Sequence, residues 1–157
     1  MFCKKRGLNQ FNSQGISNSL WAFAKNKIED TDLFNFCSSE IKKRGLDQFK
    51  PQELSNSLWA FATNKLEDTD LFNICSSEIK KRGIDQFNSR DISEILRSFA
   101  TNKIEDKDLF NLCSVEIRKR GIVQFNSQEI SNILWAFRES EIEDKELLKL
   151  CANKKNL

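Results

Sequence analysis

Apolar side chains recur along this chain at the spacing of one face of an α-helix. From about Ser13 to Lys25, the apolar residues Ile16, Leu20, Phe23 and Ala24 follow the i, i+4, i+7, i+8 pattern of an amphipathic helix. A second segment of this kind follows from about Thr31 to Arg44, after a short polar connection. The pattern predicts two helices that fold back on each other as a helical hairpin. The apolar face of the second helix comprises Leu33, Phe34, Cys37 and Ile41.

The pair of segments recurs with a period of 38 residues, the distance between Trp21 and Trp59. A hairpin this small cannot bury its own apolar face, whereas stacked hairpins bury a continuous core. The sequence therefore predicts an all-α fold, an α-solenoid of about four stacked 38-residue helical hairpins in a single domain. The predicted units span residues 8–45, 46–83, 84–121 and 122–157, and residues 1–7 are interpreted as the tail of a preceding unit. This interpretation makes the chain a fragment of a longer array.

Residues with helix-capping chemistry stand at the predicted helix ends. Asn12 and Asp30 are predicted N-caps, because a short side chain with an acceptor oxygen can bind a backbone N–H of the first turn. Gly45 is predicted to end the second helix. In the second unit Lys50 replaces the capping Asn, and Pro51 follows at the first helical position, where proline is favoured.

Composition excludes several function classes. The chain has no histidine and only five glycines, which argues against His-based catalysis, His-ligated metals and glycine-rich phosphate loops. We therefore expect no enzyme activity, no cofactor and no metal. The net charge of +2 gives by itself no reason to expect a nucleic-acid partner, and no segment is apolar enough to span a membrane. Five cysteines without C-x-x-C spacing favour a reducing intracellular compartment.

The segments ISNSLWAFA, LSNSLWAFA, ISEILRSFA and ISNILWAFR, each inside a 38-residue hairpin, resemble the unit of the octotricopeptide-repeat family. The resemblance covers essentially the whole chain. It implies an RNA-binding factor that controls transcript stability, processing or translation in a chloroplast or mitochondrion, although no transit peptide is recognisable. The third unit departs from the pattern at Glu94 and Arg97, and the fourth departs from it at Arg138.

A polar stripe lies opposite the core face of each first helix on a helical wheel. Neighbouring first helices would bring these stripes side by side, and Asn and Gln can bind base edges as both donor and acceptor. A small residue at the position of Ala22 would leave room for a base. Alternatively, the recurring Asn bridges neighbouring units through backbone hydrogen bonds. The candidate base-facing residues are Gln14, Asn18, Gln52, Asn56, Arg90, Glu94, Gln128 and Asn132.

Acidic residues begin each second helix and basic residues end it. Stacking would place them in two ridges roughly 20 Å apart, and the basic ridge could hold a phosphate backbone. Alternatively, the charges only complement the helix macrodipole. Lys4, Lys5 and Arg6 begin the basic series. The candidate phosphate contacts are Lys42, Lys43, Arg44, Lys80, Lys81, Arg82, Arg97, Arg118, Lys119, Arg120 and Arg138.

The sequence thus predicts a non-catalytic helical-repeat protein that binds single-stranded RNA and shields it or keeps it open. Trp21, Trp59 and Trp135 are predicted to pack between adjacent first helices, with stacking on a base as the alternative for them and for Arg97. Two other functions stay open at this point. The array could be a scaffold for protein partners, since solenoids present extended surfaces to peptides, or an inactive part of a longer array.

Overall fold

Eight α-helices follow one another in the part of the chain that the computed structural model describes, residues 11–155. The bounds of the first two agree residue for residue with the predicted segments. Residues 1–7, predicted to end a preceding unit, and the cations Lys4, Lys5 and Arg6 lie outside the described residues. The helices are α1 Ser13–Lys25, α2 Thr31–Arg44, α3 Pro51–Thr63, α4 Thr69–Arg82, α5 Ser89–Thr101, α6 Lys107–Arg120, α7 Ser127–Glu139 and α8 Lys145–Lys155.

The predicted caps are confirmed by hydrogen bonds at the helix ends. The Asn12 side chain accepts a first-turn backbone N–H at 2.8 Å, and Asp30 accepts one at 3.0 Å. At α3 the side chain of Lys50 accepts nothing. Instead Pro51 is the first helical residue, and the Glu53 carboxylate accepts the Lys50 backbone N–H at 2.8 Å. Local sequence therefore sets where each helix begins.

The connections use residues with positive φ. Gly83 ends α4 with a φ of 95°, a conformation that a side chain rarely adopts. Inside the hairpins, Lys27, Lys65 and Lys103 hold the left-handed conformation, with φ of 54–55°. The next residue closes the turn, as when the Ile28 N–H donates to the carbonyl of Phe23 at 2.9 Å. Each hairpin connection thus has the same compact geometry.

The helices form two layers that differ in spacing. The first helices of the hairpins, α1, α3, α5 and α7, pack directly side by side, whereas the second helices, α2, α4, α6 and α8, share far fewer contacts. Because the first helices pack more closely than the second helices, we expect the stack to curve toward the first helices. Buried phenylalanine rings join the layers edge to face between units. These pairs are Phe34–Phe61, Phe72–Phe99 and Phe110–Phe137, with centroids 5.0–5.1 Å apart.

The predicted all-α α-solenoid is confirmed within the described residues, which contain helices and no strand. The buried apolar residues of successive hairpins form one continuous core from Ile16 to Cys151. Across residues 11–155, no helix has the length and apolar character that crossing a membrane requires.

A recurring polar contact joins each second helix to the next, and we call it the cross-unit clasp. Asp68, the N-cap of α4, accepts hydrogen bonds from Ser38 Oγ and, at 2.9 Å, from Lys42 Nζ of α2. Successive second helices are therefore staggered, and each begins beside the second half of the one before. The predicted 20 Å separation of acidic and basic ridges is wrong, because the stagger brings the two into contact. The other clasps join Ser76 and Lys80 to Asp106, and Ser114 to Asp144.

The clasp shifts the acidity of its carboxylate. Burial raises the pKa of Asp68, but hydrogen bonds from Ser38, Lys42 and the Leu71 backbone N–H outweigh burial. The pKa of Asp68 therefore lies below its ordinary value. The same balance of burial against hydrogen bonds lowers the pKa of Asp106 and of Asp144. Each clasp holds an ionised carboxylate at neutral pH.

Candidate nucleic-acid interface

The exposed side of the first helices forms a continuous surface, which we call the first-helix surface. On α1 it carries Gln14, Asn18, Trp21 and Lys25, which lie within one sector of the helix. Close packing of α1, α3, α5 and α7 brings the equivalent side chains of all four units alongside each other. The outermost of the predicted base-facing residues are exposed in every unit, namely Gln14, Gln52, Arg90 and Gln128.

The recurring polar position differs between units in its hydrogen bonds. Within the described residues, the side-chain amides of Asn18 and Asn56 have no hydrogen-bond partner. Glu94 instead accepts from Arg90 Nε at 3.0 Å and from Ser55 Oγ of the preceding unit at 3.3 Å. The first two units therefore carry amides whose donor and acceptor groups are unused within the described residues, while the third carries a carboxylate that already accepts from two donors.

Asn132 in the fourth unit also makes contacts within the protein. Its side-chain oxygen accepts from Gln128 Nε2 at 3.1 Å and from Arg97 Nη1 of the preceding unit at 3.4 Å. These bonds order the Arg97 side chain beside α7. The four predicted base-facing residues at this position are thus not equivalent in the folded protein.

A different asparagine bridges the units through the backbone. Asn64, the residue that ends α3, donates from Nδ2 to the carbonyl of Ile28 at 3.3 Å, and Asn102 donates to that of Leu66 at 3.0 Å. The sequence analysis considered a bridge through backbone hydrogen bonds for the Asn18 position, but did not predict it for Asn64 and Asn102. The 38-residue spacing of Asn26, Asn64 and Asn102 was the available signal.

The small residues of the stripe are largely buried between neighbouring first helices. Ala60, Ser98 and Ala136 are buried, with at most 1% of their surface exposed, where each first helix meets the one before it. Ala22 is half-buried. Ala60 and Ala136 therefore leave no room for a base, because these small side chains allow the helices to pack closely. Ser98 in the third unit instead lines a pocket together with Trp59 and Arg97.

The tryptophans form a row on the first-helix surface. Trp21 and Trp59 contact each other with ring centroids 6.3 Å apart and planes inclined by 36°, so their predicted packing between first helices is observed. Lys25 Nζ lies 4.5 Å from the Trp21 ring centroid, within the range of a cation–π interaction. Trp21, Trp59 and Trp135 all stay half-buried, and Arg97 in the same row is exposed. The row can offer planar groups to a ligand.

A pocket of about 360 Å³ opens in this row between Trp59 and Arg97. The hydroxyl-bearing Thr63 and Thr101 line it from α3 and α5, and Lys65 lines it from the hairpin connection. Thr63, Lys65, Thr101 and Arg97 are all exposed. The threonine positions were not singled out from the sequence, because threonine at a helix end has no distinctive pattern.

The predicted phosphate contacts of the second helices are largely engaged inside the protein. Lys42 and Lys80 belong to clasps, and Arg118 pairs with Glu146. A run of three basic residues ends each of α2, α4 and α6, and the last residue of each run is an arginine. This arginine pairs with a glutamate one turn earlier in the same helix. It also donates to backbone carbonyls in the segment that precedes the first helix of its own unit. These arginines are Arg44 with Glu40, Arg82 with Glu78 and Arg120 with Glu116, at 2.6–2.7 Å.

The middle residue of each basic run points to solvent. Lys43, Lys81 and Lys119 are exposed, and Lys81 lies 3.9 Å from Asp47 in a pair in which both side chains are more than 70% exposed. Such a pair stabilises the fold little. Among the basic residues that end the second helices, these three lysines would lose the least on binding a phosphate.

Arg138 lies apart from the other candidates. It occupies the position of the buried Ala24, Ala62 and Ala100 but is itself exposed, on the side of α7 that faces away from the preceding unit. Leu134, Trp135 and Leu148 line the same pocket, and Leu148 is 40% exposed. This surface is partly apolar and carries one cation.

The cysteines and acidic residues do not assemble a metal site or a reactive thiol in the described part of the chain. No group of three or more potential metal-binding side chains occurs there. Cys37, Cys75, Cys113 and Cys151 are all buried. Burial raises the pKa of the Cys75 thiol to about 12, with the nearby charge of Asp68 adding to the effect. These thiols are packing groups.

Comparison with known proteins identifies a protein family that the chain matches. The family model described as RNA-editing substrate-binding complex 6 protein matches residues 4–155. No curated protein matches the chain. The resemblance to the octotricopeptide-repeat family is therefore wrong, and the chloroplast or mitochondrial setting that it implied loses its support. The shared period and LWAFA-type motif are what a stacked helical hairpin needs for packing, and they do not distinguish families.

Proposed function

The chain belongs to the RNA-editing substrate-binding complex 6 protein family, and from this premise we propose that it binds single-stranded RNA on its first-helix surface. The binding is non-catalytic, and occupancy of the RNA is the whole effect. RNA and the other members of a protein complex would be its partners, in keeping with the family's description.

The observation that carries this proposal is the combination of polar and planar groups on the first-helix surface. Asn18 is exposed and Asn56 is half-buried. Their amides have no hydrogen-bond partner within the described residues, so a base edge could bind them without displacing a hydrogen bond of the protein. Trp59 and Arg97 in the adjoining row offer π-faces that accept any base. Unstacked bases present both the edges and the faces that these groups need.

The phosphate backbone would follow the cations that border the first-helix surface. Lys25, Lys65 and Arg97 are exposed there, whereas a phosphate on the clasped Lys42 or Lys80 would have to replace an existing ion pair. The exposed lysines of the second helices lie on the other layer and contribute at longer range. A small number of phosphate contacts predicts binding that weakens moderately as salt rises.

The experiment is a titration of the chain with a random single-stranded RNA pool, matched duplex RNA and single-stranded DNA, at low and near-physiological salt. We expect preference for single-stranded RNA that persists at the higher salt. The double variant Asn18→Ala, Asn56→Ala should bind more weakly, while the matched control Lys43→Ala, on the opposite layer, should bind nearly as the parent chain does. Equal losses in the two variants would refute base contact at the first-helix surface.

A protein-interaction scaffold is the second candidate. The surface around Arg138, Leu134 and Leu148 supports it, because apolar side chains of α7 and α8 adjoin there and Leu148 is 40% exposed. Failure of the chain to bind any nucleic acid at low salt, in the titration above, would favour this function over RNA binding.

A further inference from the structure

We propose that one unstacked nucleobase binds between Trp59 and Arg97, and that this slot is the main base-binding site of the array. The inference rests on the proposed RNA binding and names where the dominant contact is made. It replaces the expectation of one equivalent base per unit with a single site at the junction of α3 and α5.

The slot has the chemistry of a nucleobase site. Trp59, which is half-buried and contacts Trp21, forms one wall, and the exposed Arg97 forms part of the other. A guanidinium and an indole are both planar and both stack on bases. The hydroxyls of Thr63 and Thr101 lie at the edge of the pocket, where each can donate to or accept from a base. Lys65 is exposed beside them and can meet the adjoining phosphate.

The preceding junction does not offer this space. A ring held between two planar groups needs about 3.5 Å on each side, so the groups must stand about 7 Å apart and nearly parallel. The Trp21 and Trp59 centroids are 6.3 Å apart with planes inclined by 36°. The two indoles therefore fill their own gap. Lys25 also lies against Trp21, at 4.5 Å from the ring centroid.

The following junction differs in charge. Glu139 of α7 stands at the position that Thr101 occupies in α5, and it is exposed. Its carboxylate would repel a phosphate carried by a base bound between Arg97 and Trp135. The neutral hydroxyls of the Trp59–Arg97 junction carry no such penalty. The junction of α1 and α3 is thus filled by two indoles, the junction of α3 and α5 is open, and the junction of α5 and α7 carries an acidic side chain.

Arg97 is held in place by residues that were predicted to face bases. Asn132 accepts from Arg97 Nη1 at 3.4 Å and is itself bonded to Gln128 at 3.1 Å. The slot therefore assigns Asn132 a positioning role, since it orders the guanidinium that stacks on the base. A base can stack while this bond stays intact, because the N–H groups of a guanidinium lie in its plane and leave its face open.

The test uses fluorescence of the full chain carrying Trp21→Phe and Trp135→Phe, so that Trp59 is the only tryptophan. The probe is a 12-nucleotide single-stranded RNA of mixed sequence. A ribose-phosphate strand of equal length without bases is the control, because it offers the same phosphates. We expect the RNA to quench Trp59 emission with a saturable curve and the abasic strand to leave it unchanged. Arg97→Ala should weaken RNA binding about 5- to 150-fold, the range expected for loss of one stacked base.

Arg97→Ala is the decisive variant, because its side chain is exposed and its removal leaves the core intact. The matched control is Lys107→Ala, which removes an exposed cation at the start of α6, outside the first-helix surface, and should change affinity less than threefold. RNA that binds without changing Trp59 emission, or equal losses in the Arg97→Ala and Lys107→Ala variants, would overturn the slot while leaving RNA binding intact. Failure of the parent chain to bind the RNA at all would overturn both.

Discussion

Replacing Asp106 with Ala tests whether the cross-unit clasp stabilises the array. Asp106 accepts the Leu109 backbone N–H at 3.0 Å, Lys80 Nζ at 2.8 Å and the hydroxyl of Ser76. Loss of the N-cap costs about 1 kcal/mol. The Ser76 hydroxyl, 2% exposed, would lose its acceptor, at about 1–3 kcal/mol. Lys80 is solvated, so its pair adds at most about 1 kcal/mol. We expect a total loss of about 2–5 kcal/mol.

Asp30→Ala is the matched control, because Asp30 caps α2 through the Leu33 N–H and makes no clasp within the described residues. It should lose only the cap, about 1 kcal/mol. The free energy of unfolding is measured by urea titration, with circular dichroism and tryptophan fluorescence followed together to detect partial unfolding. Equal losses in the two variants would refute the argument that the clasp stabilises the contact between units.

Three further outcomes are expected. The pKa values of Asp68, Asp106 and Asp144 are lowered in the folded chain, so the stability that they contribute is full above the unfolded pKa of about 3.9 and is lost as pH falls through the folded pKa values. The urea midpoint should therefore decrease below about pH 4. A midpoint that does not change with pH in that range would contradict this. Phe99→Ala should destabilise the chain by about 3–5 kcal/mol in the same titration, since the ring is fully buried and packs on a second ring; a loss under 1 kcal/mol would disprove that packing. In a Cys3→Ser background, iodoacetamide should modify no thiol of the native chain at pH 8 while modifying the denatured chain, and rapid native labelling read by mass spectrometry would show that the cysteines are not packing groups.

What the sequence predicts best in this protein is what short-range physics determines. The bounds of α1 and α2 follow from apolar periodicity and from Asn12, Asp30 and Gly45 at their ends, and all of these act within a few residues. Stacking follows as well, because a hairpin of this size cannot bury its apolar face alone.

What the sequence failed to predict depends on how far one unit is shifted relative to the next. That offset is set by packing across the interface, and it decides that Lys42 meets Asp68 rather than a phosphate. It also decides that Ala60 is buried between helices while Thr63 borders a pocket. A helical wheel treats each helix in isolation, so it assigns a direction to a side chain but not the neighbour it meets. The buried Ser38, a hydroxyl on an otherwise apolar face, was the one local hint of a partner from another unit.

Because the two layers pack differently, the array should resist bending more in one direction than in the other. Flattening the curve would pull α3 and α5 apart and expose apolar surface along their whole contact. Tightening the curve stretches only the outer layer, where polar clasps such as Ser76–Asp106 can exchange their bonds with water. The array should therefore resist flattening and bend more easily toward a ligand that binds on the side of the first helices.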